Sequence, residues 1–171
     1  MSIDSAVESL TRFPTVLANL VRPLGDDIQK FARTSEDWSI LQIVCHLADE
    51  EEFDFTVRIQ LTLDGSQPWP PIDPEGWATE RNYAGQNLEE QLERFGALRK
   101  SALAQFSARG WEAIDWNRSY KHEILGKLSA GDLLHSWAAH DILHLRQISK
   151  RLYEHNEVEA KSFSTRYAGN W

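Results

Sequence analysis

Apolar side chains recur along most of this chain at the three- and four-residue spacing of an amphipathic helix, and the punctuation between them marks four helical stretches. The first covers residues 3–31, with Pro14 and Gly25 as interruptions. Proline is tolerated near a helix start, so Pro14 predicts a short lead-in turn before the main helix, and Pro23 with Gly25 should end or kink it. The second stretch has the best start signal. Ser39 and Gln42 form an S-x-x-Q capping box, with Trp38 and Ile43 placed for a hydrophobic staple. It predicts a helix over 40–63 that stops at Asp64-Gly65. Residues 64–86 hold four of the six prolines together with two tryptophans and a tyrosine, which predicts an ordered crossover, since disordered linkers are poor in aromatics. Asn87 and Glu90 give a second capping box that opens a third helix to about 108, and 109–128 is a connection carrying Trp111, Trp116 and His122. The last helix begins at Ser129, with Asp132 completing a box-like start, and runs to 153 before a polar tail over 154–171. The predicted class is all-α: a four-helix bundle with a long crossover between the second and third helices.

Length and composition change this picture little. A chain of 171 residues suits one domain spanning 1–171, and seven tryptophans supply large buried areas for a small helical core. Charge does exclude partners. A net charge of −8 without a basic run argues against nucleic acid and against an anionic membrane surface. The first residues lack the basic and apolar regions of a signal peptide, and no apolar run approaches the ~20 residues of a membrane span. Cys45 is the only thiol, so no intrachain disulfide can form, and a reducing compartment, the cytoplasm, is the expectation.

The candidate chemistry lies in histidines. His140 and His144 sit four apart, so their rings leave one helix face on successive turns, as two ligands of one metal require. At 100° per residue, Leu133, Trp137 and Ile148 share that side while Arg146 points away, which turns the pair inward. On the second helix His46 shares a face with Ser39, Ile43, Glu50, Phe53 and Val57. Two inward-facing helices can bring three imidazoles to one point, and three neutral nitrogens suit zinc, nickel, iron or cobalt. Spacing alone leaves these residues open between ligands and hydrogen-bonded core histidines, and no Glu follows the first histidine of the pair as in H-E-x-x-H proteases.

Three stretches carry a family resemblance. Trp38-Ser39-Ile40 leading to His46-Leu47-Ala48-Asp49-Glu50-Glu51 and then Arg58 resembles the second helix of the DinB/YfiT-like superfamily. Trp77-Ala78-Thr79-Glu80-Arg81-Asn82-Tyr83, followed by Leu92, Phe95 and Arg99, resembles the middle of one branch, and Leu133 to Ile148 is the strongest match. The similarity spans roughly 10–153. It implies an up-down-down-up four-helix bundle, a homodimer, and a three-histidine site whose ligands fall on His46, His140 and His144. It also implies one divalent ion, zinc or nickel first, and for some relatives an external low-molecular-weight thiol as co-substrate.

Asp49 and Glu50 follow His46 by three and four residues and are the candidate catalytic carboxylates, able to orient an imidazole or accept a proton. Asp49 is the family-matched position, whereas Glu50 is nearer in angle to His46. Asp141 projects into the apolar face and must be paired, with a backbone end, Trp38 or an arginine such as Arg58. His135 points away from His144, His155 lies about 16 Å along the axis if helical, and His122 is a candidate substrate contact. Gln147 and Trp137 flank the site, and Cys45 reads as a small packing residue. Three functions compete. One is a metal-dependent enzyme acting on a small-molecule substrate, by hydrolysis or thiol transfer. The second is a non-catalytic metal-binding or stress-response protein in which the ion is structural. The third is an interaction module built on crossover aromatics such as Trp69 and Trp77.

Overall fold

Helix α1 runs Ile3–Val21 from a Ser2 cap, and Ala6, Leu10, Phe13, Leu17 and Val21 form the stripe it buries. The computed structural model describes residues 2–66, 68–169 and 171. The expected lead-in turn at Pro14 does not form, because α1 passes through the proline unbroken. Pro14 has no N–H to give the Leu10 carbonyl one turn earlier. Arg99 supplies the missing donor, with Nη1 2.9 Å from that oxygen. The helix ends just before Pro23, and Gly25 precedes a four-residue helix, α2 (Asp26–Gln29).

The capping box at Ser39 and Gln42 forms in both directions and starts α3 (Ile40–Phe53). A single helix over 40–63 is not observed: the rod is interrupted at Asp54 (φ −120°, ψ −92°) and resumes as α4 (Phe55–Asp64). Asp54 is a weak helix former that can cap a new helical segment as easily as continue an old one. Its carboxylate pairs with Arg58 one turn on at 2.5 Å, and its own N–H still reaches the Glu50 carbonyl, so the break stays local. Gly65 stops α4 in the left-handed conformation (φ +74°) that favours glycine.

The crossover is ordered and contains a helix of its own, α5 (Pro74–Glu80), with Asp73 accepting the Gly76 N–H and Pro74 in the first turn. Its aromatics pack inward rather than forming an open surface. Trp69 stacks on Tyr120 with centroids 4.1 Å apart, and Trp77 packs against Phe53 at 5.6 Å. Asn87 caps α6 (Leu88–Arg109). The connection before the last helix holds an antiparallel hairpin, β1 (Ser119–His122) and β2 (Gly126–Ser129), with Tyr120 opposite Leu128. Helix α7 opens on the Ser129/Asp132 box and extends over Ala130–Ala160, past the expected end at Tyr153. The extra turns are anchored by Arg151, which pairs with Asp37 and Glu154 at 2.9 Å each, and by His155 packed edge-on against Phe31.

Side-chain pairs fix the topology. Arg22 at the end of α1 meets Glu89 at the start of α6, so these two run antiparallel. Asp49–Arg94, Glu51–Arg99 and Gln60–Gln105 step along α3, α4 and α6 in the same sense. His46–His144 and Phe55–Trp137 set α7 against α3 and α4, while Arg33–Glu157 brings its end back to the segment after α1. The bundle is therefore up-down-down-up. Two apolar clusters fill it, one around Leu17, Val44, Phe95 and Ile148, the other around Leu10, Phe55, Phe106 and Trp137. Between them on three of the four rods lies a polar stretch: Asp49 to Asp54, Arg99, and His140 to His144. Among the described residues, no helix is long and apolar enough to cross a membrane.

Candidate metal centre

Helix α3 carries His46 two turns in from its capping box, and α7 carries His140 and His144 on successive turns, so each ring stands on regular backbone. The three Nε2 atoms converge. They lie 3.4 Å (His46–His140), 3.1 Å (His46–His144) and 3.0 Å (His140–His144) apart. A tetrahedral ion with metal–nitrogen bonds of about 2.0–2.1 Å needs donors about 3.3–3.4 Å apart, so the triangle fits the face of such a site with little adjustment. Among the described residues these three are the group of histidine, cysteine and acidic side chains close enough to share an ion.

The rings suit the task chemically. Burial, then the neighbouring imidazole of His144, holds His46 at about 3. His140 is held at about 2, again first by burial, and His144 is lowered for the same reason. All three are neutral at physiological pH, the state in which imidazole binds metal. On His144 the tautomer follows from its neighbour: Nδ1–H donates to Gln147 Oε1 at 2.9 Å, which leaves the Nε2 lone pair facing the other rings. His46 lacks so close a partner. Its Nδ1 is buried without a hydrogen bond and faces Glu50 Oε1, equally unpartnered, at 3.8 Å. Trp38 covers His46 with ring centroids 4.9 Å apart, and Phe55 packs on His140 at 5.1 Å.

The two candidate carboxylates have separated. Glu50 faces His46, and burial, then the adjacent Asp54, raises its pKa. Asp49 is 1% exposed and already engaged: it accepts from the Tyr83 hydroxyl at 2.5 Å and pairs with Arg81 at 2.8 Å and Arg94 at 2.7 Å. Those contacts tie the crossover and α6 to α3. Asp141 is paired with an arginine as a buried carboxylate must be, but the arginine is Arg99, not Arg58. Arg58 goes to Asp54. The sequence offers no signal for Arg99 or Tyr83 as partners of these groups beyond their polar character, because each contact depends on packing between distant segments, whereas Gln147 stands one turn from His144 on the same helix.

The other histidines have separate duties. His122 Nδ1 accepts the N–H groups of Ile124 and Leu125 and so caps the hairpin turn. His155 lies 3.8 Å from Asp27, and His135 is outside the ligand group. Cys45 is buried, and burial pushes its thiol up to about 12. His140 and His144 are half-buried. A cavity of about 510 Å³ reaches His144 and is lined also by Gln147, Arg146, Lys150, Arg151 and Asp37. A neighbouring cavity of about 440 Å³ shares Asp37 and Gln147 and adds Trp38 and Glu75.

Comparison with known proteins agrees with this anatomy. Residues 9–148 match the DinB superfamily. The chain is similar to two proteins of Oceanobacillus iheyensis whose names propose metal-dependent hydrolase activity. One is 26% identical over 148 residues, covering 86% of this chain and 84% of the relative. The other is 23% identical over 147 residues, covering 85% and 83%. Among solved structures, YfiT from Bacillus subtilis superposes with a TM-score of 0.71 at 21% identity, over 89% of this chain and 90% of that one. YfiT is described as a proposed metal-dependent hydrolase with an unusual four-helix bundle topology, and at this identity the likeness speaks for the fold. The chain belongs to the DinB superfamily.

Proposed function

We propose that this protein is a metal-dependent hydrolase of small molecules in which His46, His140 and His144 hold one divalent ion. The observation that carries the reading is the convergence of three neutral Nε2 atoms at 3.0–3.4 Å, two of them on half-buried rings. Three imidazoles leave the coordination of zinc or nickel incomplete, which is the donor count of a catalytic rather than a structural site. A divalent ion bound there supplies Lewis acidity and lowers the pKa of a water or thiol that meets it. Gln147 holds the His144 ring in its tautomer, and Glu50 is placed to take up the His46 Nδ1–H once that ring is fixed. Between the two carboxylates we assign the site role to Glu50 and an anchoring role to Asp49, whose oxygens are occupied.

A second reading, transfer to an external low-molecular-weight thiol, draws on a separate observation. Cys45 is buried and its thiol stays protonated, so the chain supplies no nucleophilic sulfur. The cavity beside His144 offers the Gln147 amide and the cations Arg146 and Lys150 at its rim. Assays of the zinc- and nickel-loaded protein against ester and amide substrates, with and without added thiol, separate the readings. Metal-dependent turnover without thiol, lost in H144A, is the expected result. Turnover only with thiol selects the second reading, and no turnover of either kind leaves the ion a structural role. We further propose that the chain is one domain that forms a homodimer in a reducing cytoplasm, for which light scattering is the check.

A further inference from the structure

Arg99 stands at the centre of the bundle, 1% exposed, and all five of its N–H groups are used. Nε and Nη2 donate to the two oxygens of Glu51 on α3, at 2.9 and 2.7 Å. Nη1 and Nη2 donate to the two oxygens of Asp141 on α7, both at 2.9 Å. Nη1 also reaches the Leu10 carbonyl on α1, the acceptor that Pro14 leaves unpaired. One side chain on α6 therefore bonds every other rod of the bundle.

The layer it builds adjoins the histidines through chain neighbours and through two aromatic rings. Asp141 follows His140 in the chain, and Glu51 follows Glu50, the carboxylate facing His46. Glu51 Oε1 also accepts from Trp137 Nε1 at 2.7 Å. The Trp137 ring lies under the Arg99 guanidinium at 4.7 Å and stacks on Phe55, which packs against His140. This layer interrupts the apolar core where α3 and α7 must hold a fixed register for three rings to meet. Apolar contacts on either side tolerate small slips of one helix against another, whereas a planar fork gripping two carboxylates bidentately does not.

We infer that Arg99 is the positioning residue of the histidine triad, fixing α3 against α7 through Glu51 and Asp141 and tying α1 to both through the carbonyl freed by Pro14. The inference rests on the metal-site reading and goes beyond it, because it names what sets the ring spacing from outside the ligand set. R99K is the test, since lysine keeps the charge but cannot form the fork. Zinc(II) competition titrations, cobalt(II) absorption spectra and circular dichroism are measured on wild type and variant. The expected result is a helical R99K that binds zinc(II) about 10–100-fold more weakly and shows a shifted cobalt(II) envelope. A less stable R99K with wild-type affinity and spectrum reduces Arg99 to a structural residue and overturns the proposal.

Should wild type bind neither ion, the metal reading fails by itself. The imidazole ¹⁵N resonances of the metal-free proteins then decide: shifts in R99K at His46, His140 and His144 support positioning, and unmoved resonances refute it. E51Q, which keeps the side-chain shape and loses one charged acceptor, gives the same readouts if R99K does not fold. P14A tests the α1 link. It gives Leu10 an amide partner, so R99K should lower the melting temperature less in a P14A background than in wild type. Equal losses in both backgrounds refute that part.

Discussion

Replacing Gln147 with leucine removes one hydrogen bond and little else. The side chain is half-buried on a long helix, its neighbour on the ligand side is His144, and Oε1 accepts the Nδ1–H of that ring at 2.9 Å. Leucine has similar size and helix propensity, so global stability should stay within about 0.5 kcal/mol. The His144 ring, by contrast, loses the contact that selects its tautomer. Losing an outer partner of a metal-bound histidine typically weakens metal affinity 10–100-fold, or about 1.4–2.7 kcal/mol. His144 keeps its packing against His46 and His140, with ring centroids 4.6 and 4.3 Å away, so we place Q147L in the lower half of that range. Competition with a chromophoric chelator measures the affinity, and urea unfolding of the metal-free protein measures stability. Q147E, with a stronger acceptor, should bind at least as tightly as wild type. Unchanged affinity in a stably folded Q147L refutes the claim that Gln147 fixes the ring.

Other perturbations follow from the same contacts. Y83F deletes a hydroxyl that donates to the buried Asp49, but Asp49 keeps Arg81 and Arg94, so the loss should be about 1–2 kcal/mol in urea melts. A loss below about 0.5 kcal/mol leaves that hydroxyl no anchoring role. F106A empties a fully buried position in the second apolar cluster and should cost about 3–5 kcal/mol without altering metal content. The Asp37 carboxyl is held below the usual range by the Arg151 guanidinium paired with it at 2.9 Å. A depressed folded-state pKa contributes stability that is present above the unfolded value and lost as pH falls through the folded one. Unfolding free energy should therefore fall more steeply below about pH 4 in wild type than in D37N, and identical slopes would exclude the contribution.

What the sequence made legible was whatever is encoded locally. The boxes at Ser39/Gln42 and Ser129/Asp132 form as read, because each needs only four consecutive residues, whereas at Asn87/Glu90 only the Asn87 half of the expected box forms. The facing of His46 toward the His140/His144 pair is legible for a related reason, since helical periodicity fixes the side on which a residue stands. The structure departs from these local signals where a distant group decides the outcome. Pro14 remains inside α1 because Arg99, far along the chain, satisfies the carbonyl it leaves open. The last helix outruns Tyr153 because Arg151 finds Asp37 across the bundle end. The hairpin over 119–129 lacks apolar alternation strong enough to announce itself, and it is held by Tyr120 stacking on Trp69 from the crossover. Family match favours Asp49 and helical angle favours Glu50, so sequence position does not choose between them. The arginines and the tyrosine that occupy Asp49 come from two other segments.

Whether three imidazoles on two helices hold one ion decides the function proposed for this site. Elemental analysis of protein purified without an affinity metal column, wild type beside H46A, addresses that most directly. Wild type should carry close to one equivalent of a divalent transition metal per chain, and H46A, with its helical spectrum intact, should carry little or none. A wild-type protein free of metal after incubation with zinc and nickel, or an H46A variant with unchanged metal content, contradicts the account.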